Sequence, residues 1–275
     1  METLSGLSAE TITDLKKLRG ALRLRLLDLY FKANAGHIGC SLSCIDLMIC
    51  SLIAHKKDNE AFILSKGHAA AALYVCLHEL GELSNEVLDT YYKNGTTLPA
   101  HPAPNRHKGI PFATGSLGHG LPIASGIAKG NKILDNGQFT YVLMSDGETN
   151  EGTTWEAAHY AVNNKLDNLI VIIDRNRLQG FGSTDEILGD SADAHKWKAI
   201  GFEVTECDGH DIEEIYQSIE TFKYRQNGLP KVLIANTVKG KGVSYMENRM
   251  EWHYLPMKPQ QYEQAVEEVQ TKYNL

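Results

Sequence analysis

Leucines 15, 18, 22, 26 and 29 recur at helical spacing, which predicts an amphipathic helix from residue 8 to about residue 32 with Ser8 as its N-cap. The pattern breaks at Ala35-Gly36-His37. A second helix is predicted over residues 43–55, then a short strand over 61–64 that runs into Ser65-Lys66-Gly67-His68. Residues 69–79 and 118–134 are helical by composition, and between them, from Gly95 to Gly115, lies a Pro-rich irregular stretch. Farther on, residues 139–144 (FTYVLM) and 168–174 (NLIVIID) are continuous apolar runs of strand length around a helical segment at 154–165. Strand, helix and strand with short loops make a βαβ unit, with parallel strands and a right-handed crossover. The alternation continues through a strand at 202–207, a helix at 212–225 and a strand at 231–237. The expected fold is therefore α/β: a doubly wound, mostly parallel sheet with helices on both faces and ligands beyond the carboxyl ends of its strands. No repeat or low-complexity linker divides residues 1–275, so a single domain is expected.

Composition narrows the function more than the fold. The chain has 275 residues, 43% hydrophobic and 22% charged, ordinary for a globular protein. A net charge of -7 argues against nucleic acid or anionic membrane as a partner, so any phosphate site has to be built locally. No apolar stretch is expected to approach the ~20 residues of a membrane span, and the N-terminal residues do not resemble a secretory signal. Five cysteines without a CxxC pair are expected to be buried thiols in a reducing cytoplasm.

The chemistry gathers at two strand ends. Asp146 and Asn176 lie thirty residues apart, one βαβ unit, and so should face each other across neighbouring strand ends. A carboxylate and an amide oxygen suit Mg²⁺, whose shell is completed by water and phosphate, and the Leu178 carbonyl can add a further oxygen. Gly147 lets a diphosphate approach the backbone, and the helix N-terminus that follows favours its charge. An Asp-Gly pair alone is an ordinary turn; Asn176 at the matching place in the next strand is what raises the chemical reading.

The combination of Asp-Gly with Asn thirty residues on resembles the thiamine diphosphate signature, and its surroundings resemble the transketolase family. Residues 33–39 (ANAGHIG), 62–69 (FILSKGHA), 99–102 (PAHP), 114–120 (TGSLGHG), 145–157 (SDGETNEGTTWEA), 237–244 (TVKGKGVS) and 246–253 with its Glu-Trp-His are similar, in order, to segments of split transketolase N-terminal subunits. That resemblance implies that Asp146, Asn176 and the Leu178 carbonyl hold Mg²⁺, with Gly147 and Glu148 beside the cofactor. It implies that His68 and His253 lie near the diphosphate and the thiazolium, and that Gly115, Ser116 and Leu117 line the ring pocket. His37, His101 and His253 then face the sugar, and Glu151 sits at a subunit junction. Ketol transfer needs groups that move protons near neutrality, which suits histidine. Among the eleven histidines, His37, His68 and His101 stand beside small residues or proline, where a ligand can come close. His119 reads equally as a turn former, while His55, His78, His107, His159 and His195 read as ordinary. Lys239 and Lys241 read equally as phosphate contacts or as a solvated turn, and Trp155 as packing below the site.

Two positions depart from the family pattern: Ser145 stands where glycine is usual, and Tyr254 follows His253 where split subunits usually have glycine. The family's cofactor-activating glutamate lies in a separate pyrimidine-binding domain, which is expected to be on another chain. The resemblance thus implies a partner subunit, an α2β2 assembly and sugar phosphate substrates, with activity only in the complex. Two other readings stay open at this level: the α-subunit of a 2-oxoacid dehydrogenase, and a non-catalytic cofactor-binding or regulatory subunit.

Overall fold

The structure, a computed structural model, describes residues 9–104 and 106–275, with side chains of the first helix from Ile12 onward. The expected N-cap Ser8 lies outside the described residues. Helix α1 (Ala9–Ala33) is followed by α2 (Ile38–Met48), which runs on into a π-helical turn (Ile49–His55). Strand β1 (Ala61–Leu64), a 3-10 turn (Gly67–Ala69), α3 (Ala70–Glu79) and the short α4 (Asn85–Leu88) precede the Pro-rich stretch and α5 (Gly120–Ile133). Next come β2 (Thr140–Ser145), a 3-10 turn (Gly147–Asn150), α6 (Gly152–Asn163) and β3 (Leu169–Arg175). The chain continues through α7 (Thr184–Ile187), α8 (Ala194–Ile200), β4 (Glu203–Asp208), α9 (Ile212–Tyr224) and β5 (Lys231–Asn236). A 3-10 turn (Met250–His253) and α10 (Pro259–Tyr273) complete it.

Among the described residues the five strands form one sheet in the order β1-β2-β3-β5-β4, with every neighbouring pair parallel. Strands β2 and β3 are buried along their whole length, which is why they read as unbroken apolar runs. Their side chains divide by parity. Tyr141, Leu143, Ile170, Ile172 and Leu233 face a core with α1, α2, α3, α9 and α10. Val142, Met144, Val171, Ile173, Val232 and Ile234 face a second core with α5, α6 and Trp197 of α8. Strand succession runs outward from β1 to β4 and then steps back to β5. A right-handed crossover on that reversed step puts α9 on the face opposite α6 and α8. On α9, Ile212, Ile215, Ile219 and Phe222 form one fully buried stripe, and burial of each such side chain contributes about 1.5–3 kcal/mol.

The second helix begins five residues earlier than its pattern suggested, at Ile38. Gly39, Cys40 and Ser41 are weak helix formers, yet all three are buried, and packing overrides propensity. The helical run Ile38–His55 also corrects the expectation that no stretch approaches membrane-spanning length. It has 18 residues and a mean hydropathy of 1.7, but 89% of it is buried inside the fold, as a core helix is. Inside this core, Asp46 on α2 accepts hydrogen bonds from Arg19 and Arg23 of α1 and pairs with His210, which follows β4. Burial alone would raise its pKa, but the two guanidinium groups and His210 hold the carboxyl well below the usual range. The network fastens α1 and α2 to the carboxyl ends of β4 and β5.

Candidate active site

The register pairs Ser145 with Asp174 and Arg175 with Asn236. Asp146, Asn176 and Thr237 therefore emerge from adjacent strand ends. Asp146 is 1% exposed. Its Oδ1 accepts from the Gly147 N–H at 2.8 Å, and its Oδ2 accepts from the Arg177 N–H at 2.5 Å and the Thr184 hydroxyl at 3.3 Å. Arg177 adopts a left-handed backbone, φ 62°, that turns this N–H inward. Burial and the neighbouring Asp174 carboxylate push the Asp146 pKa up to about 6 against those hydrogen bonds. An ionised Asp146 is thus costly until a cation joins it. The Asn176 Oδ1 accepts from the Leu178 N–H at 3.1 Å, and the Leu178 carbonyl accepts from the Lys239 ammonium at 3.0 Å.

Behind this end sits a buried ion pair whose pairing no sequence motif marks. Lys66, from the turn after β1, forms an ion pair with Asp174 of β3, both 0% exposed. Asp174 also accepts from Ser43 at 2.6 Å and from Thr237. Burial would raise its pKa, but Lys66 and the two hydroxyls hold it below the usual value. The second ammonium, Lys239, is 1% exposed and donates to His253 Nδ1 at 2.8 Å. Its burial rules out the solvated turn for this lysine. His210 Nε2 accepts from the Val238 N–H at 2.8 Å and so fixes the strap that carries it.

Four of the predicted histidines converge. The His37 ring centroid lies 5.8 Å from His68, 5.8 Å from His101 and 5.3 Å from His253, and His68 lies 5.4 Å from His253. His37 begins α2 in a left-handed conformation, φ 72°, and its N–H donates to the His253 carbonyl at 3.1 Å. Gly36 is obligatory here, because a Cβ would stand 2.4 Å from the Tyr254 carbonyl oxygen. Gly115 is equally constrained: with φ 139°, its Cβ would stand 2.7 Å from the His101 ring. Burial lowers His37 to about 4, with the other histidines and Lys239 adding to it. Burial, Lys66 and His253 take His68 to about 4 despite Cys40, and burial with Lys239 and Lys66 takes His253 to about 3. All three are neutral at pH 7. The Lys239 bond to Nδ1 assigns the remaining proton of His253 to Nε2. Cys40 lies 3.7 Å from His253 Nδ1. Burial would raise this thiol, but Lys239, His68 and Lys66 bring it down to about 6, an environment with no signature in the local sequence.

Other predicted residues are placed less centrally. The Glu148 side chain is buried and committed to the Ser65 hydroxyl and the Gly118 N–H, tying the β2 turn to the β1 turn. Glu151 is exposed at the start of α6 and packs against Gly118. Ser116 is exposed and Leu117 half-buried, and His119 Nδ1 bonds the Ser116 and Leu117 carbonyls, so it shapes that turn. Trp155 donates to the Thr149 carbonyl at 2.9 Å and packs on Trp197, as expected of a residue below the site.

The site fits a magnesium-bound diphosphate. Among the described residues no cluster of three His, Cys, Asp or Glu could hold a metal. The oxygens at hand are one carboxylate, one amide and one carbonyl, the mixture that suits an ion keeping phosphate and water ligands. The buried Gln179 Nε2 and Thr114 Oγ1 have no hydrogen-bond partner among the described residues. Gln179 lies over Gly147, whose Cβ would stand 3.1 Å from it. An orphaned donor above a glycine at a strand end is what an anionic ligand would satisfy.

Residues 15–274 match the thiamine diphosphate binding domain of transketolase. The chain is 41% identical over 256 residues to an apulose-4-phosphate transketolase subunit from Phocaeicola vulgatus, covering 90% of each chain. It is 34% identical over 271 residues to the 6-deoxy-6-sulfo-D-fructose transketolase subunit SqwG of Clostridium sp., covering 95% of this chain and 98% of that one. Among solved structures, the transketolase of Campylobacter jejuni superposes with a TM-score of 0.86 at 32% identity. The match takes in 95% of this chain and 43% of that one, so this chain spans less than half of the solved enzyme.

Proposed function

The chain belongs to the transketolase thiamine diphosphate-binding domain family, and on that premise we propose that it is the diphosphate-binding subunit of a split transketolase, completed by a separate pyrimidine-domain subunit in an α2β2 assembly in the cytoplasm. The supporting observation is that Lys239 links the two groups, donating both to the Leu178 carbonyl beside Asp146 and Asn176 and to His253 of the four clustered histidines. Asp146, Asn176 and Leu178 hold Mg²⁺. Gly147 allows close approach of the diphosphate, and Lys239 and Gln179 meet its charge. Gly115, Ser116 and Leu117 line the ring pocket, and Glu151 faces the partner. Thiamine diphosphate, when bound, supplies the electron sink that lets a two-carbon ketol unit leave a ketose and join an aldose.

The chain's own residues then handle protons and position. His37, His68 and His101 are neutral and able to accept a proton from a sugar hydroxyl. His253 presents Nε2–H as a donor, because Lys239 occupies Nδ1. Relatives named for apulose 4-phosphate make that sugar phosphate the first to try. The test is ketol transfer from a ketose phosphate with Mg²⁺ and thiamine diphosphate, using this chain alone and with its pyrimidine-domain partner. Transfer only in the mixture, lost in Asp146→Ala, is expected. Transfer by this chain alone, or none by the mixture with any sugar pair, would sink the reading.

A further inference from the structure

Tyr254 is seated between two glycines whose missing side chains leave room for its backbone and its hydroxyl. Its backbone is seated on Gly36, where a Cβ would come within 2.4 Å of the Tyr254 carbonyl oxygen. Its hydroxyl donates to the Gly180 carbonyl at 2.9 Å, across 74 residues of sequence. Gly180 in turn has room only for hydrogen, since a Cβ there would stand 2.4 Å from the Tyr254 hydroxyl and 3.8 Å from His253 Nε2. Between these anchors the ring lies 4.6 Å from His253 and 6.3 Å from His37, centroid to centroid. The side chain is nevertheless 52% exposed. One face is therefore open to solvent while its edges touch the histidine cluster and the loop that carries Leu178.

We infer that Tyr254 is the specificity-determining residue of this site: a tethered aromatic wall that limits the length of the sugar able to lie along His37 and His253. The inference rests on the transketolase reading and deepens it by naming the substrate class as short sugars. A phenol pinned at both ends cannot swing aside as a free surface tyrosine does. A long acceptor has to displace the Gly180 bond, whereas a short one lies inside the wall with its carbon–hydrogen edge against the ring.

The test compares wild type, Y254F and Y254G in the assembled complex, measuring kcat/KM for aldehyde acceptors of two to five carbons with one ketose phosphate donor. In Y254G the five-carbon to three-carbon ratio of kcat/KM is expected to rise about tenfold, the scale on which a pocket wall discriminates chain length. Y254F keeps the ring and loses the tether, so its ratio moves in the same direction by a smaller factor, with KM rather than kcat changing. Thiamine diphosphate affinity, titrated in parallel, stays within about threefold, since no group placed on the diphosphate has changed. A uniform loss over all acceptors, or an unchanged ratio in both variants, overturns the assignment while wild-type turnover leaves the transketolase reading standing. Absence of wild-type transfer with every sugar pair overturns both.

Discussion

Replacing Asp174 by leucine strands the Lys66 ammonium where its side chain does not reach solvent. Both residues are 0% exposed, and beyond the carboxylate Lys66 keeps the Cys40 carbonyl at 3.1 Å and the nearby Cys40 and Cys44 thiols. Ser43 and Thr237 lose their acceptor in the same step. Removing one partner of a buried ion pair costs about 3–5 kcal/mol, most of it the penalty of the charge left behind. For a chain of 275 residues the unfolding entropy is about 0.6 kcal/mol per degree, so a loss of about 4 kcal/mol lowers Tm by about 7 °C. The double variant Lys66→Met with Asp174→Leu removes both charges and keeps the volume apolar. It should recover much of that loss and melt well above the sum of the single changes. The assay is thermal unfolding of the four proteins followed by circular dichroism. An Asp174→Leu Tm within about 2 °C of wild type, or a double variant that simply adds the two single losses, would refute the reasoning.

Asp146→Ala should weaken thiamine diphosphate binding in Mg²⁺ by about 100-fold or more in calorimetry. Without cofactor the Tm should fall only modestly, since the Gly147 and Arg177 N–H groups and the Thr184 hydroxyl lose their acceptor while a carboxylate that burial makes costly is removed. Gly36→Ala, whose Cβ meets the Tyr254 backbone at 2.4 Å, should cost about 1–3 kcal/mol. Gly126→Ala on α5, with nothing within 4 Å, should gain about 0.5–1 kcal/mol, and denaturant titration separates the two. His37, His68 and His253 have folded pKa values below that of a free histidine, at about 4, 4 and 3. The unfolded chain therefore binds protons that the fold refuses. Stability should fall as pH drops from about 6.5 toward 4, with a slope of at most about 1.4 kcal/mol per pH unit for each proton. A cofactor-free Tm flat across that window would contradict the neutral, desolvated cluster.

Strands β2 and β3 were legible because they are buried on both faces, and the placement of Asp146 and Asn176 at adjacent strand ends was legible because they follow such strands directly. The sheet order was not, since the edge strand β4, with its mixed burial, carries no sign that β5 inserts beside β3. Pairs joined only by tertiary packing were equally hidden. Lys66 and Asp174 are 108 residues apart, and His210 and Asp46 are 164 apart, so no local period connects them. Glu148 read as part of the cofactor motif, and the contacts of its Oε1 with Ser65 and Gly118, made by the close approach of the β1 turn, had no sign in the sequence. Tyr254 was visible as a departure from the family pattern; its bond to Gly180 required the fold.

The central claim is that this chain binds the cofactor but cannot activate it alone. Deuterium exchange at C2 of thiamine diphosphate, followed by proton NMR, tests that claim most directly. It should be measured with this chain, with the pyrimidine-domain subunit, and with both. The account predicts accelerated exchange only in the mixture, abolished when this chain carries Asp146→Ala. Accelerated exchange with this chain alone would contradict it.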